Sequence, residues 1–290
     1  MDIAPILVPL RQALYHANTL YLFTKSDMKT IFFPITLFAW CTVPNTNSLA
    51  FTRSALWTWL HLLQFCVSNQ SLSPDEDAQN KPWRPIPAGR LPVRQATRLR
   101  WALLPLCLFL SFSFGIPAVG AVLMVGILLH NELKLDSHWF TRNVLNAIGY
   151  ATFDAGAMTV AQAGAHLSFS YPALAAHYTS IAIVLTTIHA QDFQDEEGDR
   201  VQKRRTIPIV MPAAGRLSMP VGLTLWSLGL SEGWHLPNAH RLALITIGLY
   251  VGSRFYFLRS PGADKTSYRL YNVWLAIARI SPMYGRIPVM

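Results

Sequence analysis

Apolar residues run through this chain in nine windows: 28–44, 52–70, 95–114, 116–133, 142–164, 172–192, 214–231, 238–257 and 267–285. At about 1.5 Å of rise per residue, each window coiled as a helix reaches across ~30 Å of hydrocarbon. The polar loops between them alternate in length. Those at 71–94, 134–141, 193–213 and 258–266 are long; those around Pro44 to Leu49, Gly115 to Pro117, Gly164 to Tyr171 and Glu232 to Pro237 are short and nearly free of charge. The pattern predicts an all-α, multi-pass membrane protein of about nine transmembrane helices. Ahead of the first window, Leu10, Leu14, Tyr15, Leu20 and Tyr21 are spaced as one helical face. Residues 1–26 therefore read as an amphipathic segment on the membrane surface, and 27–290 as a single transmembrane domain.

Charge orients this arrangement. Only 13% of the residues are charged, against about a quarter in a soluble domain, while 52% are hydrophobic and the mean hydropathy is +0.28. With the N-terminus in the cytosol, four of the 24 lysines and arginines (Arg53, Arg241, Arg279 and Arg286) fall on the opposite side. The other twenty lie in or beside the N-terminal segment and the long loops, as expected where basic residues stay cytoplasmic. Topology thus accounts for the net charge of +9 without a nucleic-acid partner. Cys41, Cys66 and Cys107 lie inside apolar windows without metal-ligand spacing and read as small buried residues. The first residues lack the basic start of a secretory signal and read as part of the mature protein.

The acids carry the candidate chemistry. Of fifteen, eight lie in two stretches on the expected cytoplasmic side: Asp75, Glu76 and Asp77, then Asp192, Asp195, Glu196, Glu197 and Asp199. Asp192, Asp195 and Asp199 stand at i, i+3 and i+7, and Asn69, Ser73 and Asp77 at i, i+4 and i+8; on continuous helices each set shares a face. Two such clusters suit Mg²⁺, which takes a few carboxylates and completes its shell with water and phosphate. Lys81, Arg84, Arg90, Lys203, Arg204 and Arg205 lie beside them, with Lys81, Arg84 and Arg204 nearest, and a guanidinium fork matches phosphate oxygens. Inside the hydrocarbon, Asp154 is costly and marks a chamber-lining or helix-bridging group. His189, three residues before Asp192, is a candidate proton acceptor one turn deeper, and Asn131 and Glu132 are candidate polar lining. A transporter would explain the helices and the buried acid but not the paired acidic stretches.

Those stretches resemble a known family. Asn69 to Asp77, then the basic, proline-rich Asn80-Lys81-Pro82-Trp83-Arg84-Pro85-Ile86-Pro87-Ala88-Gly89-Arg90, then Asp192 to Asp199 are similar to the paired motifs of the UbiA superfamily of intramembrane prenyltransferases. The wording Asn80-Lys81-Pro82-Trp83-Arg84-Pro85 and Asp192-Phe193-Gln194-Asp195-Glu196-Glu197-Gly198-Asp199, with Leu22 to Asp27 before the first window, resembles the fungal terpene cyclase branch. The resemblance implies a helical bundle around an apolar chamber, a polyprenyl diphosphate held at its cytoplasmic mouth, and Mg²⁺ bound by Asn69, Asp77, Asp192, Asp195 and Asp199. Asp154 and His189 are expected to serve the chamber, and Lys81, Arg84 and Arg204 the diphosphate. Ser73 departs from the aspartate usual at the middle of the first motif. The expected function is cyclisation of farnesyl or geranylgeranyl diphosphate to a terpene; the alternative is prenyl transfer to an aromatic or polyketide acceptor. The expected setting is a lipid bilayer, that of the endoplasmic reticulum, with no obligate protein partner.

Overall fold

A computed structural model of the chain describes residues 4–43, 46–162 and 169–285. Met1 to Ile3, Arg286, the ends of two apolar windows at Pro44 and at Ala163 to Gly164, and most of the loop that follows lie outside these residues. Thirteen α-helices succeed one another: α1 (Ala4–Thr24), α2 (Phe33–Thr42), α3 (Ser48–Leu72), α4 (Pro74–Asn80), α5 (Val93–Ser113), α6 (Pro117–Ile127), α7 (Trp139–Ala161), α8 (Tyr171–Thr187), α9 (Glu196–Val201), α10 (Ile207–Val210), α11 (Pro212–Gly233), α12 (Asn238–Phe257) and α13 (Pro261–Ile280). A π-turn, Met28–Phe32, opens α2, a second, Leu128–Glu132, closes α6, and a 3₁₀ turn, Ile188–Gln191, closes α8. No strand forms among the described residues; one isolated bridge joins His138 to Arg205.

Each apolar window coincides with one long helical run, so the expected all-α architecture holds. The last window is displaced, because its helix begins at Pro261 and ends at Ile280. Local chemistry sets such ends. Asn47, Ser170 and Ser260 each accept a backbone N–H of the first turn, at 2.9, 3.4 and 3.3 Å, and prolines open α4, α6, α8, α11 and α13, where a missing N–H costs nothing. Gly115 takes φ +75° to turn α5 into α6. Taken alone, one run among the described residues, Tyr171–Gln191, is both long and apolar enough to cross a membrane. The others carry polar residues that face inward, among them Ser54, Thr58, His61, Gln64, Asp154 and Arg279. In α1, Leu10, Leu14, Tyr15 and Tyr21 are exposed while Thr19 and Phe23 face the bundle.

Helix α7 holds the first half together, packing on α2, α3, α6 and α8; α11, α12 and α13 form the second half, and α13 returns to α2 to close the bundle. Close approach of α3 to α7 depends on Gly156, where an added Cβ would lie 2.1 Å from the Trp57 ring. At one end, two long loops are tied together. The Trp139 N–H donates to the Arg205 carbonyl at 2.9 Å, and the Arg205 N–H to the Ser137 carbonyl at 2.7 Å. Both acidic stretches sit at that end. Gly156→Val is expected to destabilise the folded bundle by about 1–3 kcal/mol, the usual range for overpacking, read as a lower melting temperature in detergent; an unchanged melting temperature would show that α3 and α7 do not meet there.

Candidate active site

The first acidic stretch is broken where a single helix was expected. Proline disfavours a helical residue before it, and Ser73 accordingly takes φ −131°, ψ 55°, ending α3 at Leu72 before Pro74 starts α4. Asn69 and Asp77 thus belong to two helices, and the shared-face expectation for Asn69, Ser73 and Asp77 is overturned. The second stretch departs similarly. Helix α8 tightens into its 3₁₀ turn at Gln191, so Asp192 and Asp195 lie in the turn beyond and Asp199 on α9. Backbone hydrogen bonds from Asp195 to Asp192 (3.2 Å) and from Asp199 to Asp195 (2.9 Å) still stack the three in successive turns. Phe193 anchors this turn, buried beside Phe255 and under the Arg216 guanidinium at 4.2 Å, while Arg216 itself is clamped by both oxygens of Asp264.

Carboxylates and guanidiniums alternate across the site. Arg142 donates to Asp192 at 2.8 Å and reaches Asp136 at 3.4 Å. Arg204 bonds Asp199 at 3.0 Å, Glu76 at 3.2 Å and Asp136 at 3.5 Å, so it connects the two acidic stretches directly. Arg84 pairs with Asp77 at 2.6 Å. Lys81 makes no ion pair with a described residue, yet its charge acts on both Asp77 and Asp195. Burial nevertheless dominates: it raises the Asp77 and Asp195 carboxyls, and lifts Asp192 to about 6 against the pull of Arg142.

The network leaves three carboxylate oxygens without a hydrogen-bond partner. Asp77 Oδ2, Asp192 Oδ2 and Asp199 Oδ2 are buried without a hydrogen-bond partner, a costly state unless a cation or donor completes them. Among the described residues, no three His, Cys, Asp or Glu side chains converge into a ready-made cage. That donor set fits Mg²⁺, which needs one or two carboxylates and takes its remaining ligands from water and phosphate.

Two cavities border the site. A polar one is lined by Asn69, Ser73, Asp136, Lys134 and Arg204. An apolar one lies between α3, α6 and α7, against Phe65, Leu123, Ile127, Tyr150 and Phe153. His130 lines both. Asn131 reaches the same region, accepting from Asn69 Nδ2 at 3.4 Å.

Two expected residues stand elsewhere. Asp154, expected in the chamber, lines neither cavity; it is fully buried in an ion pair with Arg279 and accepts from Ser180 at 3.1 Å. An isolated charge in hydrocarbon must find a partner, and α13 supplies one. Arg279, counted by its sequence position on the far side of the membrane, is in fact 3% exposed inside the bundle. His189 also lines neither cavity: its Nε2 shares a hydrogen bond with the Ser218 hydroxyl at 2.9 Å, between α8 and α11. Conversely, sequence reasoning missed Arg142, Asp136 and His130. Arg142 had been read only as a topological charge, and no spacing rule links it to an acid fifty residues away.

Arg279→Met is expected to leave the Asp154 charge stranded and to destabilise the protein by roughly 3–5 kcal/mol, read as a fall in melting temperature. Adding Asp154→Leu should recover much of that stability; loss of turnover in a stable double variant would instead assign Asp154 to the chemistry. For Asp192, a carboxyl raised to about 6 when folded and near 3.9 when unfolded binds its proton more tightly in the folded state. Its stabilising contribution is complete below the unfolded value and disappears as pH rises toward 6. In chelator, melting temperature against pH should therefore slope less between about 4 and 6 for Asp192→Asn than for the parent protein; equal slopes would show that Asp192 is not the titrating group.

Comparison with known proteins gives this geometry a family. Residues 31–276 match the model of the UbiA prenyltransferase family. The chain is 32% identical to the fumagillin beta-trans-bergamotene synthase of Aspergillus fumigatus over 93% of each chain. It is 26% identical to the somaliensene A/B synthase of Streptomyces somaliensis over 91% of each. Its fold is similar to that of a UbiA homolog from Archaeoglobus fulgidus bound to GPP and Mg²⁺, with a TM-score of 0.60 at 13% identity, covering 91% of this chain and 99% of the other. An all-helical bundle with both acidic stretches at one end, matched over 31–276, makes this chain a member of the UbiA prenyltransferase family, whose members are integral membrane proteins that include terpene synthases.

Proposed function

We propose that this chain is an Mg²⁺-dependent terpene cyclase acting on a polyprenyl diphosphate of the farnesyl or geranylgeranyl class, with the site's mouth facing the cytosol. The observation that carries the reading is the pair of cavities that share His130 as a lining residue. One is polar and bordered by a cation-seeking network, the other apolar and walled by α3, α6 and α7, the complement of a diphosphate head on a hydrocarbon chain. Similarity to two terpene synthases favours cyclisation over transfer, as does Ser73 in place of the usual acid. The basic residues of the long loops at this end favour the cytosolic orientation.

Asp77, Asp192 and Asp199 would hold Mg²⁺ through their unpartnered oxygens, with Asn69 and Asp195 beside them; the ion, when bound, supplies Lewis-acid charge to the departing diphosphate. Around it, Lys81, Arg84, Arg142 and Arg204 receive the growing negative charge as the C–O bond breaks. In the absence of ligand these arginines occupy themselves with carboxylates, so diphosphate exchanges one set of anionic partners for another. Phe65, Tyr150 and Phe153 face the hydrocarbon and the allylic cation it becomes. The apolar wall excludes water that would otherwise capture that cation and holds the polyene so that its own double bonds attack first.

Purified protein given farnesyl or geranylgeranyl diphosphate and Mg²⁺, without an acceptor, is expected to release inorganic diphosphate and form a cyclic hydrocarbon or alcohol. Asp192→Ala and Asp195→Ala should each lower turnover by ~100-fold or more while leaving the melting temperature measurable. Recovery of only intact substrate from both diphosphates would overturn the cyclase reading; diphosphate release that requires an added aromatic or polyketide acceptor would establish prenyl transfer instead.

A further inference from the structure

We propose that His130 takes up the proton that ends the carbocation cascade, an assignment that rests on the cyclase reading. Among the residues lining the apolar cavity, His130 alone carries a basic side chain. The other polar groups there offer little. The Tyr150 hydroxyl donates to the Thr30 carbonyl at 2.6 Å and the Thr152 hydroxyl to the Ile148 carbonyl at 2.6 Å, while Asn146 brings a non-basic amide. Two other buried histidines are held away from that cavity. His189 is engaged by Ser218, and His61, deeper along α3, sits between the Trp57 carbonyl at 2.8 Å and the Ser111 hydroxyl at 3.1 Å.

The tautomer of His130 follows from its neighbour. Asn131 turns its Nδ2 toward the Phe65 carbonyl, 3.4 Å away, which can only accept. Its Oδ1 is therefore the atom that faces His130 Nδ1 at 2.9 Å and Asn69 Nδ2 at 3.4 Å. An amide oxygen requires a donor, so Nδ1 carries the proton and Nε2 keeps its lone pair. No described residue bonds Nε2, and the half-buried His130 ring borders both cavities. The Phe65 ring stands edge-on to the imidazole with centroids 5.3 Å apart and lines the same apolar wall, where it stabilises the cation the base must reach.

The step balances without a further reactant. A C–H bond next to the cationic carbon gives its electron pair to a new C=C bond, and the proton goes to Nε2. The resulting imidazolium keeps its Nδ1–H on Asn131 Oδ1 and feels the negative charge of Asp136 set against the positive charges of Arg142 and Arg204. From there the proton passes to the released diphosphate or to water in the polar cavity, restoring the neutral ring. His130 thus connects the compartment that makes the cation with the one that holds the leaving group.

The test uses the full-length enzyme in detergent with farnesyl and geranylgeranyl diphosphate and Mg²⁺, measuring diphosphate release and product composition separately. Two variants, His130→Gln and His130→Asn, are compared so that a folding defect in one leaves the other informative, with size-exclusion profiles as the check. Diphosphate release is expected to stay within about threefold of the parent, while the share of the parent's main olefin falls at least ~10-fold, consistent with the loss of a general base; the carbon should move to alcohols or earlier-stopped olefins. An unchanged product mixture in a folded variant would overturn the assignment. Parallel loss of diphosphate release and product would also overturn it, placing His130 in ionisation. If the parent enzyme itself needs an acceptor to release diphosphate, the cyclase reading fails first, a result separable from either outcome in the variants.

Discussion

The site depends on keeping several carboxylates buried together in the same low-dielectric space. Asp192, Asp136, Asp199 and Glu76 alternate with Arg142 and Arg204, so each negative charge has a positive neighbour at ordinary ion-pair distance. Removing a single partner from such a chain is costly because the charge left behind is already desolvated. The same alternation ties α4, the loop before α7 and the turn after α8 into one end of the bundle. Helical packing below can then remain largely apolar, because the polar end supplies its own cohesion. Three unpartnered carboxylate oxygens are what this arrangement leaves open.

Below that end, polarity is permitted only where it is paired. Asp154 meets Arg279 and Ser180, with Arg279 also lying over the Phe38 and Tyr150 rings at 4.8 and 5.4 Å. The Trp57 indole donates to Ser111 at 2.9 Å, and Ser111 meets His61. These clusters join α7 to α8 and α13, and α3 to α5. In hydrocarbon, an unsatisfied polar group costs several kcal/mol, so such pairings fix which helix faces meet. They also keep the Asp154 and Arg279 charges off the apolar cavity wall.

Between these regions lies the junction at His130, Asn131 and Asn69. It is built by the π-turn that closes α6 and by the last turns of α3. An extra residue in that turn rotates the helix end, and in this helix the His130 ring lies between an apolar wall and a polar mouth. In the proposed reaction, head-group binding and hydrocarbon folding would meet at that side chain.

Sequence alone determined the helical windows, the side on which the long loops gather and the two acidic stretches, because each is a property of consecutive residues: apolar length, basic loops, acids in a row. It also identified Arg84 and Arg204 from proximity to those acids. Shared-face arguments failed where the chain left the helix, at Ser73 before Pro74 and at the 3₁₀ turn ending in Gln191. Tertiary structure alone decided partners distant in sequence. It joined Arg142 to Asp192, Arg204 to Glu76 and Asp154 to Arg279, and it placed His130 rather than His189 at the cavities. The physical reason is that a charge or a lone pair acquires its role from what lies within a few ångströms. In a bundle, those neighbours come from helices whose relative rotation no local spacing encodes.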